Sequence, residues 1–154
     1  MSWHPHVTVA TIVEDQGRFL LVEEQADGRE VLNQPAGHLE PAESLLEAAL
    51  RETLEETGWE VELSAVTGIY TAPSNGVTYQ RVCFAARPVR HHPERALDDG
   101  IIGPRWLSRD ELAAQPQRWR SHLVLRCIDD YLAGGRYPLA LIRDTHVSPS
   151  LPQA

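Results

Sequence analysis

Gly37-His-Leu-Glu40-Pro-Ala-Glu43-Ser-Leu-Leu-Glu47-Ala-Ala-Leu-Arg51-Glu52-Thr-Leu-Glu55-Glu56-Thr-Gly58-Trp59 is the stretch on which the fold turns. Residues 43–57 read as a helix, with Gly58 as the residue that ends it. Glu52, Glu55 and Glu56 stand at i, i+3 and i+4. At about 100° per residue they share one arc of roughly 100° on that helix. Like charges at these spacings weaken an isolated helix by a few tenths of a kcal/mol per pair. Partly buried carboxylates about 4 Å apart repel by about 4 kcal/mol at an effective dielectric of about 20. Arg51 is the base at hand, within reach of Glu47 or Glu55. The remaining repulsion calls for protonation or for cations. Magnesium suits such a place, because it takes oxygen ligands and is often held by one or two carboxylates plus substrate phosphates. These three residues by themselves favour a plain solvated acidic face over a metal site.

Outward from this stretch, the 154-residue chain carries a net charge of −8, from 22 Asp+Glu and 14 Lys+Arg. Every one of those 14 bases is Arg. Eight carboxylates and a single Arg fall within residues 37–62, so nearly all the net charge sits there. The absence of Lys excludes a Lys Schiff base and a P-loop Lys. The acidic balance argues against nucleic-acid polymers and anionic membranes as partners. No leader-like start and no apolar run of about 18 residues is visible, which points to a cytoplasmic protein. Cys83 and Cys127 lack metal-finger spacing and read as buried, reduced thiols, with a disulfide between them the less favoured alternative.

Residues 6–14 and 18–24 read as strands joined at Asp15-Gln16-Gly17. A short strand at Val31-Leu32 runs into a loop at residues 33–37. Strands follow at 60–70 and 77–87 around a Pro73/Gly76 loop, and at 104–107. Residues 91–100 read as irregular. Ser108 to Glu111 is a capping box opening a short helix. A second long helix spans 121–133, with Leu123, Leu125, Ile128, Tyr131 and Leu132 as core candidates, and Trp106 also reads as core. Strands mixed with helices give an α/β or α+β architecture with a mixed sheet.

The spacing Gly37, Glu43, Arg51-Glu52, Glu55-Glu56, Gly58 resembles the Nudix box, a loop–helix–loop signature. Two positions depart from the pattern. Thr53 stands where an aliphatic residue is usual, and Trp59 where a smaller one is. The Thr53 methyl can still face the core while its hydroxyl bonds a carbonyl one turn back. Pro5-His-Val-Thr-Val-Ala10, Asn33-Gln-Pro-Ala-Gly-His-Leu-Glu40, Arg120-Ser121 and Arg136-Tyr-Pro-Leu139 extend the resemblance to a phosphatase branch of that family. The likeness runs from about residue 5 to 142. It implies the Nudix fold, a mixed β-sheet sandwiched between helices (α/β/α), as a single domain over 1–142 with a loosely ordered tail at 143–154.

By the same resemblance, Glu52, Glu55 and Glu56 ligate Mg2+, with Mn2+ as a substitute, and the Gly37 carbonyl completes the site. Arg51 either orients Glu52 or Glu55 or touches phosphate, and the orienting role matches the family. Glu43 is either a structural partner in the box or an acid favoured by the helix dipole. Glu55 or Glu56 could serve as general base. Asp98 or Asp99 could be a further carboxylate, although Asp-Asp-Gly is also turn chemistry. His38, Tyr79, Arg81 and Arg120 are the candidate substrate contacts. Tyr79 and Arg81 alternate onto one strand face, as do His6 and Thr8, and such a face can equally point outward. The implied substrates are nucleoside tri- and diphosphates and hydroxymethylpyrimidine pyrophosphate, a thiamine precursor, each losing phosphate. Two readings stay open beside this one. One is a Nudix enzyme cleaving ADP-ribose or another nucleoside diphosphate derivative, for which Pro73 is the cue. The other is a nucleotide-sensing module without catalysis. The protein is expected to be a monomer or homodimer.

Overall fold

Strand β1 (His6–Asp15) and strand β2 (Arg18–Ala26) are joined through Gln16 and Gly17, whose φ angles are 51° and 80°. Asp27-Gly28 repeats the device before β3 (Arg29–Asn33). Positive φ at both central residues matches the twist of the flanking strands, which is why short Gly-containing turns close these hairpins. The computed structural model describes residues 2–145. β4 (Ala36–His38) leads into helix α1 (Leu45–Thr57). A long hairpin of β5 (Trp59–Ser74) and β6 (Val77–His91) follows, then β7 (Ile101–Ser108), α2 (Arg109–Ala113) and α3 (Leu123–Leu132).

β1 lies parallel to β6 and antiparallel to β4, and β5 flanks β6 as an antiparallel edge. β2 pairs with β3 and β7 and joins β1 near the turn. The sheet is therefore mixed. Helix α1 covers one face, packing Ala48 and Ala49 on Val9, Val66, Val82 and Phe84. Helix α3 covers the other, packing Val124, Cys127 and Ile128 on Ala10, Ile12 and Cys83. Alternate residues of β1 and β6 feed the two layers, as the period of two requires. This is the α/β/α sandwich that the resemblance implies.

Some expectations shift. The 33–37 loop is partly strand, since Ala36 to His38 pair with β1. Helix α1 begins at Leu45 rather than 43, because Ser44 is its N-cap. The Ser44 hydroxyl accepts the Glu47 N–H at 3.0 Å, and Glu47 accepts the Ser44 N–H at 2.9 Å. Pro73 lies inside β5 rather than in a loop, and Asn75-Gly76 alone turn the chain. An edge strand tolerates Pro because its outer side needs no donor. In α3, Leu132 is 51% exposed. The inward stripe is Leu123, Val124, Cys127 and Ile128, and Leu132 lies about 110° from its centre. Leu125 and Trp106 are half-buried, and Trp106 meets Trp59 edge-to-face at 5.6 Å. Of the expected loose tail, residues 143–145 carry no regular element, and the rest lies outside the described residues.

Candidate active site

Arg51 is the hub of the acidic stretch. Its Nε donates to Glu43 Oε2 at 2.6 Å and its Nη2 to Glu43 Oε1 at 2.9 Å, a two-pronged pair. Its Nη1 reaches Glu52 Oε1 at 2.8 Å and Glu55 Oε2 at 3.3 Å, and Nη2 also donates to the His38 carbonyl at 3.1 Å. A planar guanidinium can serve so many acceptors at once, which an ammonium cannot. Glu43 thus anchors the arginine, and the pairing holds its carboxyl below the usual range. Glu47, the other acid within one turn, is used by the capping box instead.

One carboxylate oxygen each from Glu52, Glu55 and Asp98 lie within 4.8 Å of one another. Asp98 comes from the irregular connection before β7, and its N–H donates to the Glu55 carbonyl at 3.2 Å. Asp99, one residue on, is exposed and outside the trio. At such separations each pair of charges repels by about 3–4 kcal/mol at an effective dielectric of about 20. Burial and the neighbouring charges both act on these acids, burial the more strongly. Burial raises Glu52, against the pull of Arg51; burial, then the Asp98 charge, raises Glu55. Glu56 points elsewhere, accepting the Ala36 N–H at 2.9 Å. Burial pushes Glu56 up to about 8, helped by the charges of Glu52, Glu24 and Asp98 and opposed by that hydrogen bond.

Gly37 lies flush against Glu52. A Cβ at this position would fall closer than 3.0 Å to all three atoms of the Glu52 carboxyl group. The missing side chain is the space that the carboxylate occupies. The oxygen-only donor set and this cradle fit a hard divalent cation.

The remaining candidates separate. Tyr79 and His38 meet His6 in a cluster of rings, with centroids 5.5–6.2 Å apart. Arg81 shares their sheet face but is only 7% exposed and points inward, donating to Gln34, Asn33 and Cys127. Arg120 donates to Glu24 at 3.0 Å. Gln34 and Glu24 escaped the sequence reading. The polar Asn33-Gln34 pair immediately before Pro35 was the available signal for the first. Thr53 bonds the Ala49 carbonyl at 2.8 Å as expected, and also the Thr11 hydroxyl of β1 at 2.8 Å. A groove of about 670 Å³ between β5 and the end of α3, lined by Thr67, Tyr70, Asp130 and Tyr137 among others, contains none of these candidates.

The family described as NUDIX domain matches residues 2–126. Phosphatase NudJ of Escherichia coli strain K12 is 42% identical over 142 residues, covering 91% of this chain and 92% of that protein. A solved NUDIX hydrolase from Nitrosomonas europaea superposes with a TM-score of 0.90 at 46% identity, over 92% of this chain and 97% of that one. A MutT NUDIX hydrolase from Burkholderia pseudomallei shares the fold at a TM-score of 0.71 and 21% identity, over 83% and 98% of the two chains.

Proposed function

The chain belongs to the Nudix family and is a hydrolase of pyrophosphate bonds, and from that premise we propose that it is a magnesium-dependent phosphatase of the NudJ kind. Its substrates in this reading are nucleoside tri- and diphosphates and hydroxymethylpyrimidine pyrophosphate. Residues 1–142 act as one domain. The observation that carries the proposal is the convergence of Glu52, Glu55 and Asp98 oxygens beside the Gly37 cradle, with Arg51 holding two of the three.

Glu52 and Glu55 would hold magnesium, joined by the Gly37 carbonyl and by Glu56 on turning from the Ala36 N–H, and Asp98 would add a further carboxylate. Mn2+ can substitute. Magnesium, when bound, neutralises phosphate oxygens and lowers the pKa of a coordinated water. Arg51 is a positioning residue: four acceptors hold its fork, so Glu52 and Glu55 keep their orientation when their charges would drive them apart. Glu55 or Glu56 takes the proton of the attacking water as general base, and a carboxylate with a raised pKa is suited to that work near neutral pH. His38 and Tyr79 offer ring faces to the substrate, and Arg120 a half-exposed cation. Arg81 braces the segment before the box.

A panel of nucleotides, ADP-ribose and hydroxymethylpyrimidine pyrophosphate, incubated with the protein at fixed magnesium, tests the proposal by product identity. Release of orthophosphate is the expected result. Pyrophosphate or a mononucleotide as the product would overturn it in favour of another Nudix cleavage. Binding without any product would point to a sensing module.

A further inference from the structure

Arg81 is buried, yet no ion pair among the described residues includes it. Its guanidinium donates to two neutral oxygens, Gln34 Oε1 at 3.0 Å and Asn33 Oδ1 at 3.1 Å. Its third contact is Cys127 Sγ at 3.7 Å. A buried guanidinium without an anion is costly. A thiolate on Cys127 is the group placed to balance it. Cys83, on β6, donates its S–H to Cys127 Sγ across 3.5 Å, and both thiols are fully buried between β6 and α3. The Cys127 thiol is held below its usual range by the hydrogen bond from Cys83 first, against burial, and by Arg81.

We propose that Cys83 and Cys127 form a dithiol site that closes reversibly to a disulfide on reaction with a small peroxide, and that Arg81 passes the change to residues 33–37. The Cys127 thiolate attacks one oxygen of hydrogen peroxide, the O–O bond breaks, and a sulfenic acid and hydroxide result. The Cys83 sulfur, losing its proton, then attacks the Cys127 sulfur and expels a second hydroxide. The Cys83 proton and one from solvent turn both hydroxides to water. Two sulfurs are oxidised by two electrons in all, and peroxide is reduced to two waters. A dithiol reductant reverses the step.

Closure shortens the sulfur pair from 3.5 Å to about 2.05 Å. It also removes the negative charge beside Arg81. The residues that Arg81 holds are tied to α3 as well, since Gln34 Nε2 donates to the Val124 carbonyl at 2.6 Å. The next residues bear on the acidic cluster, through the Ala36 N–H on Glu56 and Gly37 against Glu52. Displacement of α3 against β6 therefore reaches the cluster through one short segment. This last link rests on the metal reading above; the disulfide does not.

The full chain, freed of metal, is treated with hydrogen peroxide, quenched, and split between two measurements. Intact mass and a non-reducing peptide map read the linkage. A Mn2+ titration reads the cluster. The expected results are a mass loss of about 2 Da, a Cys83–Cys127 linked peptide, and Mn2+ affinity lower by about tenfold, all reversed by dithiothreitol. Cys83→Ala should show no linkage and no change in Mn2+ affinity on treatment; Cys127→Ser serves the same purpose if the first variant misfolds. Two free thiols after treatment would overturn the dithiol site. A linked chain that binds Mn2+ like the reduced one would overturn the coupling. A linked chain that binds no Mn2+ in either state would support the dithiol site and overturn the metal reading.

Discussion

Replacing Gly37 with Ala adds one methyl group directly on the Glu52 carboxyl group. All three carboxyl atoms would lie closer than 3.0 Å to the new Cβ, where ordinary contact begins at 3.4 Å. The carboxyl carbon would stand 2.1 Å from the new Cβ, so Glu52 must retreat by about 1.4 Å or more, since a carbon pair is comfortable only near 3.5–4.0 Å. The backbone should accept the change, because Gly37 is not among the residues with positive φ. The atoms that must give way are the far end of a flexible side chain, so a rotamer shift of about 0.5–1.5 kcal/mol absorbs the clash. Lost chain entropy in the unfolded state offsets part of this. The fold should survive with a melting temperature within a few degrees of the parent. The site should not, because the retreat breaks the 2.8 Å bond from Arg51 and displaces one of three clustered oxygens. A 1 Å misplacement in a catalytic constellation costs about 100-fold, or about 2.7 kcal/mol of barrier. Phosphate release under saturating magnesium, a Mn2+ titration and a melting curve on the same preparation read all three quantities. Activity within threefold of the parent would refute the cradle argument. A collapse of the melting temperature would show instead that Gly37 matters for packing.

Other outcomes follow from the same geometry. Arg51→Lys keeps the charge but loses the fork, so kcat should fall by tenfold or more with the melting temperature little changed. Thr53→Val strands the buried Thr11 hydroxyl and should cost about 1–2 kcal/mol in urea unfolding; adding Thr11→Val should recover most of it. In chelator, Glu56 carries its proton in the folded state up to about pH 8, whereas the unfolded chain releases it near the ordinary carboxyl value of 4.5. Its contribution to stability is therefore complete below about 4.5 and is lost as pH rises through about 8, with a slope of at most about 1.4 kcal/mol per pH unit. Unfolding curves at three pH values should flatten in Glu56→Gln. Tyr79→Ala should raise KM several-fold while leaving kcat near the parent value, as removal of a binding contact shared by ground and transition states does.

The box was legible because its chemistry is local. Helix spacing places Glu52, Glu55 and Glu56 on one arc before any tertiary contact exists. Which of them converge is decided by neighbours that are distant in sequence. Asp98 joins Glu52 and Glu55 from a connection 42 residues beyond Glu56, pinned by one backbone bond to Glu55. Glu56 turns to the Ala36 N–H because residue 36 lies in a strand rather than in a loop, and a three-residue strand is too short to show a period of two. Arg81 was readable as sharing a face with Tyr79, but not as buried, because its partners Gln34 and Cys127 come from two other elements. Thr53 shows the same limit. Its backward bond to Ala49 follows from helix geometry, whereas its partner Thr11 follows from how α1 docks on β1.

Orthophosphate release by Glu55→Gln, compared with the parent chain at saturating magnesium, tests the acidic cluster as the centre of hydrolysis most directly. The substitution removes one charge from the trio and keeps its size, so the melting temperature should hold or rise. Turnover should drop by at least about 100-fold, the scale of losing a metal ligand or general base. Undiminished turnover in a folded Glu55→Gln protein would contradict the assignment.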